Sequence, residues 1–272
     1  MSYRPKLIAT DLDGTICPHA APISKRTIAA LTRANEMGVK VFFVTGRPPR
    51  WMNQIKEAFD FGQAICSNGG LLWDLHQEKV LEEWRITPAD LRTTITKLRN
   101  AVPDIYFAFE NHGDFRREKK YEARWDKGVD ENGVDDILDY IENGAIKLLA
   151  RGSDKLFNSD ELLAIAQREV GDIVTVTHSN PWESLLEISA HNVSKGDTLA
   201  VICERLKIDR EDVVAFGDNP NDFSMLEFAG RSYIMSDGHP DGIKYATATA
   251  PACEEDGVAQ VVEELLNLSP HP

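Results

Sequence analysis

The 272-residue sequence has no run of about 20 apolar residues, the length that spans a bilayer. Its longest local contender, Val39 to Val44, is strand-sized and carries Lys40. No signal-peptide pattern opens it, because Arg4, Lys6 and Asp11 interrupt any apolar stretch. These absences predict a cytoplasmic protein with no membrane partner. Cysteine is scarce. Cys17, Cys66, Cys203 and Cys253 form no C-x-x-C pair, which argues against a disulfide framework or a zinc site and predicts reduced, buried thiols. Positive charge is in deficit: 30 Lys and Arg against 44 Asp and Glu leave a formal net charge of −14. Such a chain is repelled by nucleic acid and anionic membranes. An anionic substrate is still compatible, since local cations can dominate a pocket, and the balance suits a site that gathers carboxylates around a metal. Repeats and low-complexity tracts are absent too.

What is present has the punctuation of a parallel sheet. Lys6 to Thr10 leads into Asp11, Val39 to Val44 into Thr45-Gly46-Arg47, and Asp212 to Phe216 into Gly217-Asp218. Each is a short run of branched and aromatic residues ending in a polar loop, the pattern of a buried strand. Helical spacing separates them. Ser24 to Met37 carries Ile28, Leu31 and Ala34, with Ser24 as N-cap and Gly38 as stop; Lys195 to Leu206 carries Leu199, Ile202, Cys203 and Leu206. The alternation predicts a doubly wound α/β core whose polar loops share the carboxyl edge of the strands, where such sheets bind ligands. Asn68-Gly69 marks a turn between two further strands, and Lys79 to Ile86 reads as another. Thr87 and Pro88 then open a helix. Extended stretches follow at 105–110 and 115–121, a helix at 134–142, a strand at 145–150, a helix at 160–170, and strands at 173–178 and 184–188. Residues 84–189 thus read as an α/β domain inserted into a discontinuous core of 1–83 and 190–272.

Chemistry concentrates at the strand ends. Asp11 and Asp13, two apart in extended backbone, aim their carboxylates the same way, which is unfavourable unless a cation or a proton is shared. An oxygen-only set suits Mg²⁺. Asp218 and Asp222, in Gly217-Asp218-Asn219-Pro220-Asn221-Asp222, add two more carboxylates. Either segment alone could be a helix cap or an Asx turn; together, after apolar strands, they point to a metal site. The Thr45 hydroxyl with the Gly46 and Arg47 amides offers donors for phosphoryl oxygens. Lys195 opens a helix, where a cation is poorly placed for the macrodipole; it is either a solvated lysine or a charge clamp.

Taken in order, Asp11-Leu12-Asp13-Gly14-Thr15, Thr45-Gly46-Arg47, Lys195 and Gly217-Asp218 with Asn221-Asp222 resemble the four motifs of the haloacid dehalogenase superfamily. Ser67-Asn68-Gly69-Gly70, Val193-Ser194-Lys195-Gly196 and Glu255-Asp256-Gly257-Val258-Ala259 narrow the resemblance to its Cof-type phosphatases, which carry a large α/β cap. The resemblance implies a Rossmann-like core with an inserted cap. It implies Asp11 as nucleophile and Asp13 as general acid and then base. Thr45 and Lys195 would hold phosphoryl oxygens, and Asn221 would support the phosphate. Mg²⁺ would lie among Asp11, Asp13 (through its backbone carbonyl), Asp218 and Asp222. One departure is Asp237, in a stretch where relatives carry G-N-A; Pro220 in the fourth-motif loop is another.

The expected activity is Mg²⁺-dependent hydrolysis of a small phosphorylated metabolite, a sugar phosphate or a phosphorylated cofactor precursor, through an aspartyl-phosphate. A phosphomutase on the same scaffold, or a non-enzymatic binding protein retaining the fold, are the alternatives. Substrate contacts are expected from Gly46 and Arg47 in the core, and from Glu110, His112, Arg116, Arg117, His178, Asn180 and Trp182 in the inserted domain.

Overall fold

A computed structural model describes residues 3–124, 130 and 132–269. The chain begins with β1 (Leu7–Thr10), α1 (Lys25–Glu36), β2 (Lys40–Val44), α2 (Asn53–Ala58), β3 (Gln63–Cys66), β4 (Leu71–Asp74) and β5 (Lys79–Glu83). It continues through α3 (Pro88–Ala101), β6 (Tyr106–Asn111), β7 (Asp114–Arg117), β8 (Lys147–Arg151), α4 (Ser159–Val170), β9 (Val174–Thr177) and β10 (Leu185–Ala190). It ends with α5 (Lys195–Leu206), β11 (Val213–Gly217), α6 (Phe223–Phe228), β12 (Arg231–Met235), β13 (Ala248–Ala250) and α7 (Gly257–Leu266). Two compact units result: residues 1–47, 51–82 and 194–272 in one, and 48–50 with 83–193 in the other.

The first unit is built on an eight-stranded sheet of order β13-β12-β11-β1-β2-β3-β4-β5. From β13 to β3 the strands pair in parallel, and β4 returns antiparallel to β3. Strands β1 and β11 are buried throughout, as the unbroken apolar runs require of strands covered on both faces. Strand β1 lies between β2 and β11, so the order reverses there and the ends of these three strands are neighbours. Helix α1 starts where Ser24 Oγ accepts the Thr27 amide at 3.0 Å, and it buries Leu31 and Ala34. Helix α5 starts where Ser194 Oγ accepts the Asp197 amide at 3.1 Å. Its expected apolar stripe holds at Leu199, Ile202 and Cys203, while Leu206 is exposed because the helix stops there. All four cysteines are unpaired and buried.

The second unit has a five-stranded sheet of order β7-β6-β8-β10-β9. Phe107 and Phe109, Leu148 and Ala150, and Leu186 and Ile188 alternate into one core with α3 and α4. The intervening residues lie on the opposite sheet face, with a smaller cluster of Ala108, Phe115, Tyr121 and Leu149 and the ion pair Lys147–Glu187 at 3.2 Å. Helix α3 takes Thr87 as its cap. The helix expected over 134–142 is only a single 3₁₀ turn, Ile137–Tyr140. Val134 bridges Glu118 instead, and Asp136 caps the turn through the Leu138 amide. No helix among the described residues is long and apolar enough to cross a membrane.

Candidate active site

Asp11 follows the last residue of β1, Thr45 the last of β2, and Asp218 the last of β11, so sheet order alone brings the three loops together. Lys195, at the first position of α5, has no exposed surface. Its Nζ donates to Asp11 Oδ1 and to Asp222 Oδ1, each at 2.6 Å. Lys195 is therefore not a solvated lysine but a buried bridge between two carboxylates. Burial opposes the charge on Lys195, but Asp11 and Asp222 override it and raise its pKa.

Asp222 is saturated: Oδ2 accepts the amides of Asp218 at 2.9 Å and Asn219 at 3.1 Å. It therefore fixes both the Lys195 ammonium and the loop presenting Asp218. Asp218 Oδ2 accepts from Asn219 Nδ2 at 2.6 Å, while its Oδ1 is buried with no hydrogen-bond partner. Asp11, Asp218 and Asp222 each offer a carboxylate oxygen within 4.8 Å of the others, all buried. Burial first, then the Asp222 carboxylate, push Asp11 up to about 7, against the opposing pull of Lys195. Burial and the Asp11 charge hold Asp218 well above the carboxylate range. One ammonium cannot neutralise three close carboxylates, and an orphaned carboxylate oxygen in an all-oxygen set fits a hard divalent cation such as Mg²⁺. Gly14 gives the cluster room. Its φ of +78° suits glycine, and a Cβ there would overlap the Asp218 carboxylate.

The side chain of Asp13 does not join this cluster; the metal contact expected of Asp13 is through its backbone carbonyl. Its carboxylate is half-exposed and pairs with Arg47: Nε donates to Oδ2 at 2.8 Å and Nη2 to Oδ1 at 2.5 Å. Thr45 is buried, and its Oγ1 accepts the Arg47 amide at 3.0 Å. The Ser67-Asn68-Gly69-Gly70 turn supports this loop: Asn68 N donates to Thr45 O at 3.0 Å and Ser67 N to Arg47 O at 3.1 Å. Asn221 Nδ2 donates to Asn68 Oδ1 at 3.1 Å, tying the fourth motif to that turn. Thr198 Oγ1 donates to Gly69 O at 2.8 Å, tying α5 to it as well. Nothing in a turn-like S-N-G-G stretch announces this bracing role. Asp237 is exposed, so it adds no buried charge, and Pro220 opens a single 3₁₀ turn.

Several of the residues expected as substrate contacts in the inserted segment are engaged by other residues. His178 is fully enclosed, with Nε2 2.8 Å from Asp160. That does not fit a substrate contact, because a ring without accessible surface offers no face to a ligand. Glu110 is buried and chelated by Arg50, with Nη2 to Oε2 at 2.7 Å. Arg117 Nη1 donates to the carbonyls of Glu118, Lys119 and Tyr121, and Arg116 lies over the Tyr140 ring at 4.5 Å. His112 is exposed at the β6–β7 hairpin; Asn180 Oδ1 accepts the amide of the exposed Trp182.

The family model of haloacid dehalogenase-like hydrolases matches residues 8–262. The 5-amino-6-(5-phospho-D-ribitylamino)uracil phosphatase YitU of Bacillus subtilis is 25% identical, over 98% of this chain and all of that protein. Among solved structures, TM0651 of Thermotoga maritima is 26% identical with a TM-score of 0.74, covering 96% of this chain and 97% of that one. The subclass IIB sugar phosphatase BT4131 shares the fold at 20% identity, with a TM-score of 0.77 over 95% of this chain and 98% of that one.

Proposed function

The chain belongs to the haloacid dehalogenase-like hydrolases, and we propose that it is a Mg²⁺-dependent phosphatase acting through an aspartyl-phosphate on Asp11. The observation that carries this reading is the buried assembly of Asp11, Lys195, Asp222 and Asp218, with one carboxylate oxygen unpartnered. Phosphoryl transfer asks a protein mainly for positioning and charge neutralisation, and this assembly provides both.

Asp11 attacks phosphorus, forming the Asp11–phosphorus bond as the bond to the leaving oxygen breaks. Lys195 orients the attacking carboxylate and balances its charge. Asp13 delivers a proton to the leaving oxygen, then takes one from the water that cleaves the acyl phosphate. Thr45 Oγ1 and the Gly46 and Arg47 segment hold the phosphoryl oxygens, and Asn221 braces the loop opposite. The Asp11 and Asp218 side chains, with the Asp13 carbonyl that the resemblance assigns, would hold Mg²⁺, whose charge would help to neutralise those oxygens. Asp222, with both oxygens engaged, supports rather than ligates.

We assign the substrate to small phosphorylated sugars and sugar-like cofactor precursors. The ribityl phosphate in the name of YitU and the sugar phosphatase title of BT4131 support that class. Residues 84–189 are assigned the role of a substrate-selecting cap, and four buried free thiols support a reducing, cytoplasmic setting. The test is phosphate release from a panel of sugar, polyol and cofactor-precursor phosphates, with Mg²⁺ and then with chelator. Release that needs Mg²⁺ and no bisphosphate activator is expected. A bisphosphate requirement would indicate a mutase, and no turnover of any ester would indicate a binding protein.

A further inference from the structure

Arg47 and Asp13 pose a conflict within that reading. The acid and base step needs a carboxylate oxygen of Asp13 directed at the leaving oxygen or at water. Yet each of its two oxygens accepts a guanidinium N–H of Arg47, at 2.8 and 2.5 Å. The pair occupies one acceptor position on each functional atom, and Asp13 lies outside the buried cluster of Asp11, Asp218 and Asp222. Arg47 is held from behind by a longer bond, Nη1 to the Trp51 carbonyl at 3.4 Å. Its main chain is fixed, since Thr45 Oγ1 accepts its amide and its carbonyl accepts the Ser67 amide. A guanidinium on a fixed backbone, engaged with one bidentate oxyanion, is suited to exchange that partner for another of the same geometry. A phosphoryl dianion is such a partner and carries more charge than a carboxylate.

We propose that Arg47 is an exchangeable latch on Asp13: an arriving phosphoryl group takes the guanidinium and thereby releases the Asp13 carboxylate, which then takes a proton from water and passes it to the leaving oxygen. This rests on the phosphatase reading. It makes Arg47 a positioning residue for the general acid as well as a ligand for phosphate. It also gives the resting site a reason to keep its acid engaged until a phosphoryl group is present.

Binding thermodynamics separate the latch from simpler roles. Inorganic phosphate is titrated calorimetrically, with Mg²⁺ present, into wild type, Asp13→Asn, Arg47→Ala and the double variant. If Asp13 competes with phosphate for Arg47, Asp13→Asn tightens phosphate binding at least ~10-fold when Arg47 is present. The same change in the Arg47→Ala background tightens it no more than ~2–3-fold, the residue of removing one nearby negative charge. Equal tightening in both backgrounds overturns the latch, because it leaves only general electrostatics. Unchanged phosphate affinity in Arg47→Ala also overturns it. Both side chains are partly exposed, and circular dichroism verifies folding; Arg47→Lys, if Arg47→Ala does not fold, should likewise lose most of the coupling, since an ammonium lacks the two-pronged fit. Wild type that hydrolyses esters without showing the coupling refutes the latch alone. Wild type that neither binds phosphate nor hydrolyses any ester refutes the phosphatase reading, and the latch with it.

Discussion

Replacing Lys195 by Met tests the electrostatic design of the site without touching a reacting atom. Met keeps the length and apolar stem of the side chain and deletes only the ammonium. In the folded, metal-free chain that ammonium is the hydrogen-bonding cation of both Asp11 and Asp222, at 2.6 Å from each, and it has no exposed surface. Removing one partner of a buried ion pair leaves charge uncompensated and costs about 3–5 kcal/mol. A domain's total stability is about 5–15 kcal/mol, so the variant should be folded but fragile. At a slope of ~3 kcal/mol per M, urea unfolding in chelator at pH 7.5 should show a midpoint ~1–1.7 M lower. Lowering the pH toward 5 should recover part of the loss, because Asp11 and Asp218, already hard to ionise, can then enter the fold protonated. Adding Asp222→Asn should also recover part of it, since one unpaired carboxylate goes while an acceptor for the Asp218 and Asn219 amides remains. A single variant within ~1 kcal/mol of wild type, with no rescue by acid or by the second substitution, would refute the reasoning.

Three further outcomes follow from the same geometry. Asp11 takes up its proton near pH 7 when folded and near ~3.9 when unfolded; between those values the folded chain binds more protons, so metal-free stability should fall as pH rises through the window. Mg²⁺ must displace that proton, so its affinity measured by titration calorimetry should weaken up to ~10-fold per pH unit below 7, and a flat profile from pH 5.5 to 7.5 would contradict the assignment. Gly69 has a φ of +101°, and a Cβ there would overlap the Ser194 carbonyl at the start of α5. Gly69→Ala should cost more than ~2 kcal/mol in urea unfolding, and a loss under ~0.5 kcal/mol would show that this contact is dispensable.

The edge that carries the candidate site was legible because its strands read as unbroken apolar runs that end abruptly in Asp11, Thr45 and Asp218. The caps at Ser24 and Thr87 were legible for a local reason, a hydroxyl three residues before the amide it accepts. Long-range partners were not. Lys195 looks like a solvated lysine until the fold brings Asp222 beside it, and Asp13 reveals no turn toward Arg47. Glu118 reads as one charge in a basic run, yet it is buried, paired with Arg99, and accepts the amides of Phe107 and Ile137. His178 attracted a ligand role because histidine in a loop suggests chemistry, whereas its enclosure depends on Asp160 of α4, 18 residues away in sequence. Short elements such as α2, α6 and β13 lack the length for a periodic signal.

The central claim, a covalent phosphoryl group on Asp11, is tested most directly by a single turnover in ¹⁸O-labelled water with enzyme in excess, followed by peptide mass spectrometry. Attack of water on the phosphorus of the aspartyl-phosphate places the label in released phosphate and leaves Asp11 unlabelled in that turnover. Direct attack of water on the substrate gives the same labelling, so the diagnostic readout is the acid-quenched protein itself. The account predicts a phosphoryl group on the peptide containing Asp11 in the acid-quenched wild type, and none in Asp11→Asn. Phosphate release at the wild-type rate with no phosphorylated Asp11 peptide at any quench time, or undiminished turnover by Asp11→Asn, would contradict it.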